Sequence, residues 1–540
     1  MGRTFSSSYL AGEPAARAFL TRDFREPAAR REATRAAASR RTSPALLGVL
    51  AAQQAALPPS AARDANLGAL EGGQTAVVAT GQQVGLFLGP LYSFYKAASA
   101  VATARALEAE TGVRTVPLFW LQTEDHDFAE IAACRVATLD DGAPLALALA
   151  PEDAAMERVS LAHRRLGPEI TALVETLAAA LGPGEAPAEV VALLGAHYAP
   201  GQSPAAAFAG VLATIFADEG LLILDPRVAP VAALAAPLYR RALDDAAAIE
   251  ASLRARGAAL AAAGLYEQIP IRAGCSLLFF HRREAKGPRF RLQREDASWT
   301  LTGAGESVED AELRGFLDHD PLRLSTSALM RPIVQDALLP TAAYVGGPAE
   351  VSYFAQLEPV YEVFGLPPPL VVPRARFRVL DAPTRRRLEQ LGLSSDDAAR
   401  PRAELLARLG AGAAVAGPDP DALRRLVSER ITPAVADLTR AALAADARLD
   451  RPAARTRASV ERALERFIGR YAHARQERDE VVTTRIDKLQ RALVPAGVPQ
   501  ERYYGWPSLA ARVGPATLKR LVLERLAADP FSTTLQELRA

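Results

Sequence analysis

Residues 75–122 read TAVVATGQQVGLFLGPLYSFYKAASAVATARALEAETGVRTVPLFWLQ. Residues 75–79 are a short apolar run with β-branched members, the pattern of a buried strand. A glycine-rich turn follows, from Thr80 to Pro90. Residues 90 to about 110 are helix formers, with proline at a first-turn position where its missing N–H costs nothing. Gly112 is a natural C-terminal stop. Residues 113–122 return to an apolar strand pattern. Strand, turn, helix and strand in this order predict a βαβ unit, a parallel pair joined by a right-handed crossover.

The same pattern recurs outward from this unit. Residues 220–225 (GLLILD) form a buried-type strand, followed by an Ala-rich helix to about Gly264. Residues 341–345, Gly346-Gly347-Pro348 and 349–364 repeat strand, turn and helix, and 370–372 is the next strand. Three repeats predict an α/β fold with an open doubly wound core. Its insertions are expected at about 140–215, read as helical, and about 265–325, read as a small β insertion. Residues 1–65 form an N-terminal helical segment, and the core runs over 66–382. Beyond Pro383 the strands are expected to stop. Residues 383–495 are helix formers rich in Arg and Glu. There Val460, Phe467, Ala474 and Val481 recur every seven residues, as do Leu464, Tyr471, Arg478 and Arg485. Such a seam predicts a coiled-coil hairpin, folding back across Asp450-Arg451-Pro452, that forms a homodimer. Residues 496–540 are a tail returning to the core.

Composition narrows the function. With 49% hydrophobic and 23% charged residues, the 540-residue chain is globular rather than disordered. Lys+Arg is 63 against Asp+Glu 62. The near-zero balance removes the bulk electrostatic case for nucleic acid or an anionic membrane. The uncharged stretches 72–95 and 190–217 are broken by Gly, Pro and polar residues, so no membrane span is expected. Two cysteines, Cys134 and Cys275, exclude a disulfide framework and suit a reducing cytoplasm. HExxH, paired CxxC and GxSxG are absent, and no metal site is predicted.

Three turns carry candidate chemistry. In the first, Thr80, Gly81, Gln82, Gln83, Gly85 and Gly89 lead toward a helix bearing Tyr92 and Lys96. Backbone N–H groups there could face a ligand; a tight structural turn is the competing reading. In the second, Glu124-Asp125-His126-Asp127 follows a strand at the end where doubly wound sheets hold ligands. Such a cluster can act as a general base or hold an ammonium group; a solvated loop is the alternative. In the third, Gly346 and Gly347 permit close backbone approach and Glu350 sits in a first helical turn. Arg331 opens a polar segment, 331–336, on an otherwise apolar stretch, and Arg374 and Arg376 just after a strand could meet an anion, although a solvated location is the default for both. Only four of 63 basic residues are lysine, so Lys96 hints at a site that requires a compact ammonium.

The segments ATGQQVGLFLGPLYSFYK (79–96), VPLFWLQTEDHDFAEI (116–131) and LMRPIVQDALLPTAAYVGGPAEVSYFAQLEPVYEVFGLPPPLVVPR (329–374) closely resemble the cysteine ligases of bacillithiol biosynthesis. The resemblance extends over nearly the whole chain. It implies a Rossmann-like core with connective insertions and a dimerising C-terminal coiled coil. It also implies the last step of bacillithiol synthesis, the joining of cysteine to the amine of glucosaminyl malate. A free carboxylate must be activated first, so ATP, with magnesium, is the expected co-substrate, and no tightly bound cofactor is expected. On this reading Glu124, Asp125, His126, Asp127 and Lys96 carry catalysis and the glycine-rich turns bind substrate. A nucleotidyltransferase-like enzyme of different substrate and a non-catalytic dimeric assembly protein are the alternatives.

Overall fold

The computed structural model describes residues 4–138, 142–296, 298–412 and 419–540. The chain divides into two compact units, residues 1–381 with 499–540, and residues 382–498.

The first unit is built on five parallel strands in the order Leu370–Pro373, Thr341–Gly346, Ala76–Gln82, Thr115–Leu121 and Leu222–Leu224. Nearly every residue in them is buried, which is why they read as continuous apolar runs rather than alternating ones. From Ala76–Gln82 the chain crosses through helix Tyr92–Thr111 to Thr115–Leu121. From Thr341–Gly346 it crosses through helix Pro348–Phe364 to Leu370–Pro373, toward the opposite edge of the sheet. The strand order therefore reverses between Ala76–Gln82 and Thr341–Gly346. Such a switch point opens a crevice at the carboxyl ends of the two strands.

Two insertions interrupt the core. Between the second and third strands lie the hairpin Ala133–Val136 and Leu145–Ala148, then helices Glu169–Leu181, Glu185–His197 and Pro204–Ile215. The expectation of an all-helical insertion fails at Leu145–Ala148. The alternating Leu-Ala-Leu-Ala puts Leu147 on a buried face, and cross-strand pairing overrides the helix propensity of alanine. The later insertion is β, as expected, and forms a five-stranded antiparallel sheet that includes Cys275–His281 and Arg289–Glu295. Strands also do not stop at Pro383. The returning tail ends in Leu535–Arg539, which pairs in parallel with Arg376–Leu380.

The second unit is helical. Helices Pro420–Leu426 and Thr432–Ala445 run back along the long helix Asp450–Leu493, and Arg424 lies 3.7 Å from Glu465 across the pair. The reversal falls at Asp446–Leu449 rather than at 450–452, because Asp450 already begins the long helix. Ile468, Ile486, Leu489 and Leu493 are buried. The heptad row expected as the seam behaves differently, with Val460 half-buried and Phe467, Ala474 and Val481 exposed. The hairpin closes on positions offset from that row and leaves the row facing outward. Leu464, Tyr471 and Arg485 of the other row are half-buried, and the Arg478 side chain lies outside the described residues.

Candidate active site

The switch point holds a cavity of about 330 Å³, large enough for a small-molecule substrate. Its walls come from the end of the first strand, the N-terminal part of helix Tyr92–Thr111, the end of Thr115–Leu121 and the loop after it, Pro226, Arg289 of the antiparallel sheet, residues 326–353, and the pair Arg374 and Arg502.

One side is basic. Lys96, the fifth residue of its helix, reaches back to the end of the first strand. Its ammonium donates to the Gly81 carbonyl at 2.6 Å, to Gln82 Oε1 at 2.8 Å, and to the Glu350 carboxylate. All three donors are thereby used. Glu350 also accepts from the Tyr344 hydroxyl at 2.5 Å and from the Gly347 N–H at 2.7 Å, so it caps its own helix. Burial would raise the Glu350 pKa, but the Lys96 charge and these donors outweigh it and hold the group below the usual carboxylate range. Burial lowers the Lys96 pKa against the pull of Glu350, and the Arg374 and Arg331 charges add to the lowering.

Arg374 is fully engaged as well. It grips both oxygens of Glu501 at 2.9 and 2.7 Å and lies 5.4 Å from the Tyr92 ring. Arg331 donates to Gln335 at 2.8 Å and to the Tyr353 hydroxyl at 3.0 Å, and it stacks over Tyr344. Its Nε has no partner among the described residues. Both guanidiniums are buried, contrary to the expected solvated location. Three buried cations, Lys96, Arg331 and Arg374, face two carboxylates, Glu350 and Glu501. One positive charge is left over, and the exposed Arg502 adds another at the mouth. This side suits an anionic ligand.

The other side is acidic. The Glu124 carboxylate accepts from the Thr326 hydroxyl and from its N–H at 3.3 Å. Asp125 accepts from Gln83 Nε2 at 2.6 Å and from the His126 N–H at 2.7 Å. Arg289, buried on the antiparallel sheet, donates to the Glu124 carbonyl, lies 4.0 Å from Asp125, and stacks 3.9 Å above the Phe279 ring. Burial, against the pull of Asp125, lowers its pKa to about 10. Glu130, on the short helix Phe128–Ile131, completes the wall.

The structure thus brings Gln82, Tyr92, Lys96, Glu124, Asp125, Arg331, Gly347, Glu350 and Arg374 to one cavity. It does not bring His126 or Asp127 to the wall. Asp127 caps the helix carrying Glu130, and burial and the Arg289 charge lower the His126 pKa. The glycine-rich turn is no ligand cradle either. Gly85 and Gly89 pack against each other so closely that a Cβ on Gly85 would lie 2.8 Å from Gly89 Cα. The Leu88 N–H and the Gly85 carbonyl are both bonded to the Tyr198 hydroxyl, at 3.2 Å each. Thr80 donates to the Val345 carbonyl, and Gly81 lies against the Trp120 carbonyl, so both are structural. Gly346 lies against the Glu350 side chain rather than on the wall. Glu130, Arg289, Glu501 and Arg502 were not singled out from the sequence. Only Glu130 had an available signal, as the next acid after the 124–127 cluster.

Two family models cover this chain: the N-terminal Rossmann-like domain of bacillithiol biosynthesis BshC over residues 2–375, and its C-terminal coiled-coil domain over 377–533. The chain belongs to the BshC family. Among its relatives, one from Koribacter versatilis is 34% identical over 83% of this chain and 82% of its own length. It carries the name "Putative cysteine ligase BshC". Proteins with the same name from Salinibacter ruber and Heliobacterium modesticaldum are 36% and 29% identical. The first match spans 59% of this chain and 57% of the relative, the second 82% and 80%. The cavity lies within the Rossmann-like part of the BshC chain, apart from Arg502, which belongs to the segment matched by the coiled-coil model. No helix among the described residues is long and apolar enough to cross a membrane.

Proposed function

We propose that the switch-point cavity joins cysteine to the amino group of glucosaminyl malate, the last step of bacillithiol biosynthesis, in the cytoplasm. The observation that carries this reading is the opposed charge of the two walls. An acceptor bearing carboxylates at one end and an ammonium at the other matches Arg331 and Arg502 on one side and the acidic loop on the other. The bond formed is an amide. A free carboxylate does not acylate an amine unaided, so ATP with magnesium is the proposed activating co-substrate. The test is incubation of purified protein with cysteine, ATP and glucosaminyl malate, with mass detection of the thiol. A cysteine-dependent product supports the reading. Pyrophosphate release without cysteine, or no turnover at all, overturns it.

A homodimer through the helical hairpin is part of the proposal. On the long helix Phe467 is 62% and Val481 48% exposed, and on the shorter helix Leu438 is 67% exposed, apolar side chains that an isolated copy leaves in water.

A further inference from the structure

Four carboxylates stand on the cavity wall: Glu124, Asp125, Glu130 and Glu350. Three are already committed. Glu350 holds Lys96, the Tyr344 hydroxyl and the Gly347 N–H. Glu124 takes both donors of Thr326 and faces the Arg227 and Arg289 guanidiniums. Asp125 takes Gln83, the His126 N–H and the nearby Arg289. Glu130 differs. Among the described residues no cation lies within ion-pair distance of it, and its side chain accepts one long bond, from Gln82 Nε2 at 3.3 Å. It lines the cavity with its side chain partly open to solvent, and its backbone is held in place, since Asp127 Oδ1 accepts the Glu130 N–H at 3.2 Å.

We propose that Glu130 is the general base that removes a proton from the acceptor amine. The inference rests on the ligase reading of the cavity and assigns a group within it. An ammonium has no lone pair and cannot attack a carboxyl carbon. One N–H proton passes to the Glu130 carboxylate, the nitrogen regains its lone pair, and Glu130 becomes a neutral acid. No other bond breaks in this step. The surroundings suit the task. Burial raises the Glu130 pKa, and the Asp127, Asp125 and Glu350 carboxylates raise it further against the Lys96 charge. Tyr92, also on the cavity wall, is pushed up to about 12, by burial and then by the Glu130 charge, so it stays a neutral phenol.

The experiment compares wild type with Glu130→Gln and Glu130→Asp across pH 5–9, with calorimetric binding of glucosaminyl malate alongside turnover. For Glu130→Gln the expected result is a thermal midpoint near wild type, acceptor affinity within about threefold, and kcat lower by about 100-fold, the usual scale for a lost general base. The acid limb of the kcat/KM profile should disappear in that variant, and Glu130→Asp should recover part of the rate. Glu130→Gln turning over within threefold of wild type overturns the proposal. So does a loss confined to KM and affinity, which would make Glu130 an ammonium anchor only. Wild type that binds acceptor but forms no cysteine adduct overturns the ligase reading and this assignment together. Product formation by wild type with a normal Glu130→Gln overturns this assignment alone.

Discussion

Lys96 and Glu350 form an ion pair across the switch point, tying the first crossover helix to the helix that follows Thr341–Gly346. Both are buried, and the ammonium has no donor to spare. Breaking a buried pair from one side strands the other charge, at a cost of about 3–5 kcal/mol. Lys96→Met should therefore lower stability on that scale in urea titration. Lys96→Met with Glu350→Gln should regain part of it, since no uncompensated charge remains. Lys96→Arg retains the charge but cannot direct three short bonds from one nitrogen. It should lose at least about tenfold in turnover, or 1.4 kcal/mol of transition-state stabilisation. Additive single-variant losses would show that the two residues are not coupled.

Arg374 and Glu501 join the core to the segment that returns after the helical hairpin, by a bidentate pair buried at both ends. Arg374→Lys cannot reproduce the fork and should raise the KM for the acceptor while lowering stability by about 1–3 kcal/mol. Glu501→Gln retains one good acceptor and should be milder. If Arg374→Lys matched wild type in both readouts, the fork would have no role in the site.

The parallel core was legible because its buried strands are apolar runs punctuated by glycine, as in TAVVA and GLLIL. Glu124 and Asp125 drew notice because ligands sit at the carboxyl ends of parallel strands, Lys96 because lysine is rare in this chain, and Glu350 because it opens a helix after two glycines. Arg289 and Glu501 were not. They arrive from an antiparallel insertion and from the returning tail, 165 and 127 residues from their respective partners. Only tertiary packing makes them neighbours. The glycine spacing was misread for a physical reason as well. Glycines four apart serve close backbone contact as readily as ligand approach, and here Gly85 and Gly89 meet each other.

Gly505 anchors the same returning segment. Its N–H donates to the Arg135 carbonyl at 2.8 Å, and an added Cβ would overlap Cys134 Sγ and sit 3.2 Å from the Gly89 carbonyl. Gly505→Ala should cost about 1–3 kcal/mol, the usual range for overpacking. Cys134→Ala removes the sulfur and should relieve part of that cost in the double variant. Equal destabilisation by Gly505→Ala in both backgrounds would place the strain elsewhere.

Phe467 is the most exposed aromatic side chain of the long helix and sits in the middle of its outward heptad row. Phe467→Glu should leave the hairpin folded, because the residue contributes little to the packing within the chain. In sedimentation at micromolar concentration it should shift a dimer to monomer. A wild-type monomer, or a variant that stays dimeric, would refute the proposed interface.

Acid lability should follow from one buried and one half-buried histidine. His281 is fully buried, with Nδ1 3.1 Å from the Gly287 carbonyl and Nε2 2.9 Å from the Ser325 hydroxyl. Burial, then the Arg227 and Arg289 charges, hold its pKa well below the ordinary value. Burial with Arg227 and Lys286 lowers His163 to about 4. Each folded pKa lies below the unfolded value of about 6.5, so in that window the unfolded chain binds more protons and stability rises with pH. As pH falls from 6.5 toward 4, each such histidine should remove up to about 1.4 kcal/mol per pH unit. Asp225 and Asp336 act in the opposite sense, since burial raises both and the folded state then holds their protons more tightly. The informative quantity is therefore a difference between variants. Urea midpoints of wild type and His281→Gln at pH 8, 6 and 4.5 should converge as pH falls, because the variant lacks one group that must be protonated on unfolding. Parallel curves across that range would mean that His281 titrates alike in both states.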